Sequence, residues 1–315
     1  MNQAVFHDTG CACPIHDGKG RDPSGTSTIS RRFAADVTRR FRALQTLVIQ
    51  SLVRNDALGL KKPILGFDSK NPQPIVQVTR DRALDPNRYA FARSSEKVSG
   101  FMGWLREQER QGILGVMEGT QMEYAAETAW TNVYISAAYQ KGINDAGRKL
   151  RAEGAKMAAT WTENAFTRPI HADRAGLAFS RTFTELEGIT DTMDQQISRV
   201  LAQGLSEGLN PMQIARNINN RIEKIGITRA RMLARTEVIN AHANATLNSF
   251  QEAGIEGVDV ETELLITLGA CEECEAIAEE GPYTLDEARG LIPAHPNCRC
   301  AWAPKVVNGT GIELV

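Results

Sequence analysis

Aromatic residues are scarce in this sequence, 6% of 315, and that scarcity argues against a β-sandwich and for a helix-rich chain. No uninterrupted apolar run approaches the roughly 20 residues needed to span a bilayer. The opening, MNQAVFHDTG, has neither the basic leader nor the apolar core of a secretory signal. A formal net charge of −2 gives the whole chain no excess of one sign, so nothing global marks it as a binder of nucleic acid or membrane. These absences predict folding in a reducing cytosol, where paired cysteines are more often metal ligands than disulfides.

With 42% hydrophobic and 23% charged residues, the chain can build a sizeable core and form one large or two ordinary domains. Charge is uneven along it. Residues 1–62 carry ten basic and five acidic side chains, whereas residues 259–293 carry ten acidic ones against Arg289 alone. Different partners at the two ends are the implication.

The first 28 residues read as an arm broken by Gly10, Pro14, Gly18, Gly20, Pro23 and Gly25. Within it His7, Cys11, Cys13 and His16 have the chemistry for a second small metal site, although a mobile tail with free thiols is the plainer expectation. From Ser30 to about Asn55, Phe33, Val37, Phe41, Leu44, Val48 and Leu52 recur three or four apart, the signature of an amphipathic helix. Arg31, Arg32, Arg39, Arg40 and Arg42 fall mainly between them. They form either a solvated face or a dock for an acidic partner or a phosphate backbone.

Residues 57–93 are broken by Gly59, Pro63, Gly66, Pro72, Pro74 and Pro86, which predicts a long connection or hairpin-like insertion, with a possible strand at 75–79. Between Ser94 and Arg168 proline is absent, and helices are expected over 95–116 and 121–151. Ala125, Ala126, Ala129, Ala137 and Ala138 are small enough for neighbouring helices to approach closely. A third helical stretch runs from about His171 to Glu207 with an expected break at Gly188, and the lone His171 is expected at a cap or on the surface. Asn210, Pro211 and Gln213 spell a helix start with a capping box. Helix over 228–253, strand over 258–268, a capped short helix at 284–290 and a final strand around Trp302 and Val306 complete the pattern. The fold class is therefore mainly α, with long helices followed by a small α+β C-terminal module whose short sheet is clipped by a metal.

The clip is read from four of the six cysteines. Cys271-x2-Cys274 is followed, after twenty residues, by His295-Pro-Asn-Cys298-Arg-Cys300. Two thiols at i and i+3 reach one ion from a single turn, and a second pair arriving later completes a tetrahedral shell. Sulfur and imidazole favour zinc over calcium or magnesium. Five donors compete for four places: Cys271, Cys274 and Cys298 are the first choices, with the fourth place open between His295 and Cys300. Unmetallated thiols or a disulfide are the alternatives. A catalytic metal is disfavoured because thiols exceed the available places and no ligand position is left for water.

Upstream of the clip lies Arg235-Thr236-Glu237 followed by Asn240 and Asn244. At helical spacing Thr236, Glu237, Asn240 and Asn244 share one polar face, opposite Ala234, Val238, Ala241 and Ala245. Such a face either holds a loop by hydrogen bonds or is simply wet. No activated nucleophile or paired base accompanies it, so catalysis is not expected.

Arg235 to Asn244, Cys271-x2-Cys274, Tyr283-Thr-Leu-Asp-Glu-Ala and His295-Pro-Asn-Cys298-Arg-Cys300 together resemble the phage Mu F-like head-morphogenesis domain of minor head proteins, over roughly residues 195–306. The resemblance implies a low-copy, non-enzymatic virion component, in host cytoplasm during assembly and then in the head interior or at the portal vertex. The partners it implies are portal protein or major capsid protein, with packaged DNA as a further candidate and no membrane or small-molecule substrate. It suggests this division of the chain: an arm to residue 28, a helical assembly region over 29–190, the family module with its structural zinc over 191–306 and a tail to 315. Some relatives carry a toxin domain after this module. Here few residues follow Cys300, so no toxin activity is expected.

Overall fold

The computed structural model describes residues 22–60, 66–68, 71–75, 96–115, 129–157, 161–163, 168–255, 259–267, 269–308 and 313–314. Helix α1 (Ser27–Ile49) continues as a π-helical turn over Gln50–Arg54 and is followed by strands β1 (Gly66–Asp68) and β2 (Asn71–Ile75) and by α2 (Glu96–Gly112). Next come α3 (Asn132–Ala152), β3 (Lys156–Met157), the long α4 (Pro169–Ser206), and α5 (Pro211–Arg221) with a π-helical turn over Ile222–Ile227. Helix α6 (Thr228–Ile255), β4 (Asp259–Leu265), α7 (Glu272–Glu280), α8 (Leu285–Ala288), β5 (Ala301–Asn308) and β6 (Glu313–Leu314) complete the chain. The mainly helical class with a small sheet near the C-terminus is what is found. Residues 1–21 of the arm, with His7, Cys11, Cys13 and His16, lie outside the described residues, as do 76–79 of the expected strand and 121–128 of the expected helix; the rest of the expected arm is ordered, with Ser24 and Thr26 buried and α1 starting at Ser27.

The chain folds into two compact units that interleave along the sequence: residues 1–37, 119–186 and 230–315 form one, and 38–118 and 187–229 the other. In the second unit Phe41, Leu44, Val48, Leu52, Phe101, Leu105, Met193, Ile197, Leu201, Ile214 and Ile218 are buried. Each such side chain contributes about 1.5–3 kcal/mol of hydrophobic free energy. The side chain of Gln45 donates to the Asn219 carbonyl at 3.1 Å. At α5, Asn210 accepts from the Gln213 amide while the Gln213 side chain accepts from the Asn210 amide, the capping box that the sequence spells.

The first unit is built around α6. From Glu237 to Phe250 every residue but Asn244 is buried, so this stretch of the helix has no wet face. The expected division into a polar and an apolar side is thereby corrected: its small and polar residues alternate because neighbours surround it on all sides. Helix α3 approaches it closely. A Cβ placed on Gly142 would stand 2.4 Å from the His242 carbonyl oxygen and 2.7 Å from the Ala245 Cβ. Only glycine admits that approach.

Buried polar groups of α6 find partners across the chain, as burial demands. His242 Nε2 lies 3.0 Å from Asp145, which also pairs with Lys141 at 3.1 Å and with Arg148. Burial raises the Asp145 pKa, but hydrogen bonds from His242 and Arg148 outweigh it and hold the carboxyl well below its usual range. Tyr139 accepts from Asn248 at 2.9 Å and therefore donates to His171 Nδ1 at 3.2 Å. That leaves the His171 proton on Nε2, 3.3 Å from Glu252, which Arg168 pairs at 2.7 Å. His171 is completely buried and is neither a cap nor a surface residue; the need to satisfy Tyr139 and Glu252 inside the core draws it in.

Two further corrections concern helix bounds. Helix α4 runs through Gly188 without a break, because open space surrounds that glycine and buried Leu186 and Met193 offset its propensity cost of about 1 kcal/mol. Helix α3 begins only at Asn132. The turn before it places Trp130 edge-on to Phe33, with ring centroids 5.6 Å apart.

The C-terminal sheet is antiparallel β4–β5, pairing Val260 with Val306 and Leu264 with Trp302. Thr262 and Tyr283 exchange both backbone hydrogen bonds at 2.8 Å, which brings the segment between α7 and α8 against the sheet. Trp302, fully buried, packs edge-on to Tyr283 at 6.0 Å.

Candidate metal centre

Two turns bring the sulfurs together. In the first, Cys271 stands at the N-cap of α7 with an extended backbone, its carbonyl accepting from the Glu275 amide at 2.9 Å. Cys274, one turn into the helix, faces the core. In the second, His295-Pro296-Asn297-Cys298, the Cys298 amide donates to the His295 carbonyl at 3.1 Å. Pro296 fixes the second position, and Asn297 takes the positive φ of 71° that the third position of a type II turn requires. Asparagine tolerates that conformation where most side chains do not. The sequence HPNC is thus a turn specification as well as a donor set.

Donor atoms of Cys271, Cys274 and His295 all lie within 4.8 Å of one another, and so do those of Cys274, Cys298 and Cys300. Cys274 belongs to both sets. In a tetrahedral zinc site with bonds of about 2.3 Å the sulfurs stand about 3.8 Å apart, so the cluster fits a metal ion with little movement. His295 Nε2 lies 3.2 Å from Cys274 Sγ. Its Nδ1, 2.9 Å from the Pro296 carbonyl, donates there and leaves the Nε2 lone pair facing the sulfurs, the arrangement common to metal-bound histidines. Hydrogen bonds from Cys274 and Cys300 hold the Cys298 thiol far below its ordinary pKa, and the Cys274 thiol is raised by its bond to Cys298. The free thiols of Cys271, Cys274, Cys298 and Cys300 form no disulfide. Around them Phe250, Leu264, Ala288, Ile292 and Trp302 make an apolar enclosure.

Three contacts fasten this module to the helices, and none is legible from spacing. Arg235 Nη1 donates to Asn297 Oδ1 at 2.7 Å, so the arginine of Arg-Thr-Glu holds the turn that carries the ligands. Arg289, just after α8, donates to Asn248 at 3.0 Å and Gln251 at 2.7 Å on α6. Lys149 of α3 donates to the Trp302 carbonyl on β5, and burial brings its pKa down to about 8. The other residues of the expected polar face act elsewhere: Glu237 is buried and pairs with Arg181 at 3.4 Å, and Asn240 accepts from Asn244 at 3.0 Å. Thr236 is half-buried. Burial raises the Glu237 pKa.

The geometry accounts for the residues that the chain shares with a known family. Residues 195–303 match the model of the family described as Phage Mu protein F like protein. Over that segment the chain is similar to the Mu F-like family. The match takes in α5, α6, both ligand turns and the start of β5. It also includes both partners of the Arg235–Asn297 bond. No curated protein and no solved structure matches the chain.

The basic residues of α1 are not part of this site. Arg31, Arg32, Arg39 and Arg42 are exposed, while Arg40 is half-buried and donates to the Gly112 carbonyl at 2.7 Å. No described helix is long and apolar enough to cross a membrane.

Proposed function

We propose that this protein is a non-enzymatic minor component of a tailed-phage head, and that its Mu F-like segment is folded around one structural zinc ion. The observation that carries this is the coincidence of the family match over 195–303 with two groups of three sulfur and imidazole donors that share Cys274. The similarity to that family supports a role in phage head morphogenesis. Cys271, Cys274, His295 and Cys298 are the ligands on this reading. His295 is chosen over Cys300 because its Nδ1 is already committed to the Pro296 carbonyl, and Cys300 then serves as a hydrogen-bonding neighbour. Bound there, zinc supplies folding free energy that a two-stranded sheet cannot supply alone.

Residues 191–306 serve as the head-morphogenesis module and 29–190 as the region that meets portal or major capsid protein, in the head interior or at the portal vertex. Co-expression with portal and major capsid protein tests this. The protein is expected to sediment with procapsids or portal rings, and to fail to do so when Cys274→Ser removes the metal. Sedimentation as a free chain in every combination sinks the proposal. A second reading, phosphate-backbone contact through Arg31, Arg32, Arg39 and Arg42, is favoured by their exposure on α1. It predicts sequence-independent binding that weakens steeply with salt.

A further inference from the structure

Arg235 is half-buried on α6, and its Nη1 donates at 2.7 Å to the side-chain oxygen of Asn297, a neutral acceptor. Other cations of the same unit that are drawn partly out of water meet a carboxylate: Arg168 pairs with Glu252 at 2.7 Å and Lys141 with Asp145 at 3.1 Å. Among the described residues no carboxylate lies within ion-pair distance of Arg235. A guanidinium withdrawn from water and given a neutral partner is held at a cost. Its place shows what can offset that cost. Asn297 immediately precedes Cys298 and follows His295 by two residues. Its φ of 71° shapes the turn that carries both donors, and the Cys298 amide closes that turn on the His295 carbonyl at 3.1 Å.

On the zinc reading proposed above, on which this inference rests, the thiolates of Cys271, Cys274 and Cys298 and a neutral His295 surround a doubly charged cation. Three negative charges against two positive ones leave the centre one net negative charge. We infer that Arg235 is a positioning residue for the metal centre: through Asn297 it fixes the turn that presents His295 and Cys298, and its charge balances the thiolates. Partners of this kind, outside the ligand set, tune how tightly an ion is kept. A cation held one residue from Cys298 favours thiolate over thiol, and the hydrogen bond presets the turn before the ion arrives. The bond joins residues 62 apart in sequence, so a change on α6 is felt at the ion.

The test measures zinc affinity of the full-length protein by competition with a chromophoric chelator, and the absorption of its Co2+-loaded form. Arg235→Ala is expected to bind zinc about 10–100-fold more weakly at unchanged stoichiometry. Asn297→Gly keeps a residue suited to positive φ but offers no side-chain acceptor, and is expected to weaken binding about tenfold. Arg235→Lys keeps the charge and a donor and is expected to recover most of the loss. In the Co2+ form, Arg235→Ala should move the sulfur-to-cobalt charge-transfer band to longer wavelength, because a thiolate that loses a nearby cation gives up its electron more easily. A merely structural tie would leave that band in place. Far-UV circular dichroism checks that each variant keeps its helices, and Asn297→Gly and Arg235→Lys decide the matter if Arg235→Ala does not fold. Zinc affinity within about twofold of wild type in Asn297→Gly and Arg235→Ala overturns the inference. So does an equal loss in Arg235→Lys and Arg235→Ala, an unshifted band, or a lower melting temperature at unchanged affinity. A wild-type chain that takes up no zinc removes the zinc reading itself, whereas tight binding matched by every variant removes this inference alone.

Discussion

The buried stretch of α6 and the pair of turns at 271–274 and 295–300 both place polar atoms inside the first unit, yet they differ in how those atoms are satisfied. Along α6, His242 meets Asp145, Asn248 meets Tyr139 and Arg289, and Glu252 meets His171 and Arg168. Each partner is a fixed side chain of the same protein. At the two turns, soft donors gather in two groups of three that share Cys274. Polar groups closed by the chain's own residues specify a fold, whereas donors that converge without a matching acceptor specify a ligand.

The largest effect expected from breaking that contrast is at the sulfurs. Cys274→Ser, or a strong chelator, should remove one metal equivalent per chain and abolish protease resistance of residues 259–308. The cost to the C-terminal module is several kcal/mol, within the ~10–16 kcal/mol that structural zinc can supply. The helical signal in circular dichroism should persist. His295→Ala should behave like Cys274→Ser, and Cys300→Ser should retain the ion; the opposite pattern in metal analysis would exchange their roles.

On the side closed by the protein itself, Gly142→Ala should cost about 3 kcal/mol or more by urea denaturation, because the added carbon meets backbone rather than a yielding side chain. Little change would mean that α3 and α6 are further apart than described. Next in size, Arg235→Ala and Asn297→Ala should each cost about 1–2 kcal/mol and raise hydrogen exchange at 295–300. The double variant should cost no more than either alone, because each removes the same bond.

The smallest effect is in the second unit, where Glu109 is 3% exposed beside Asp194, itself 2.8 Å from Arg106. Burial and then the charge of Asp194 push the Glu109 pKa up to about 10, and burial also raises that of Asp194. A carboxyl raised in the fold binds more protons there than in the unfolded chain, so its contribution is complete below about pH 4.5 and is lost as pH climbs toward 10. Melting temperature should fall over that window. Glu109→Gln should flatten the fall; an unchanged profile would place the titration elsewhere.

What the sequence disclosed was local. The donor spacing, the Asn210 and Thr284 capping boxes and the Pro-Asn turn are written in neighbouring residues, and each has its geometry here. What it withheld was partnership at a distance. Arg235 and Asn297 are 62 residues apart, and nothing in either neighbourhood names the other. The polar face on α6 was misleading for the same reason: Glu237, Asn248 and Glu252 lie within about 60° of one another with His242 farther round the helix, and only the surrounding chain reveals that all are enclosed. His171 read as an isolated imidazole because Tyr139 and Glu252 lie 32 and 81 residues away.

The four-residue turn at His295 has two customers: it delivers sulfur inward and an amide to Arg235 outward. Stripping the ion therefore frees the near end of the longest enclosed helix as well as a surface loop, and slack introduced at one point travels along the spine of the unit.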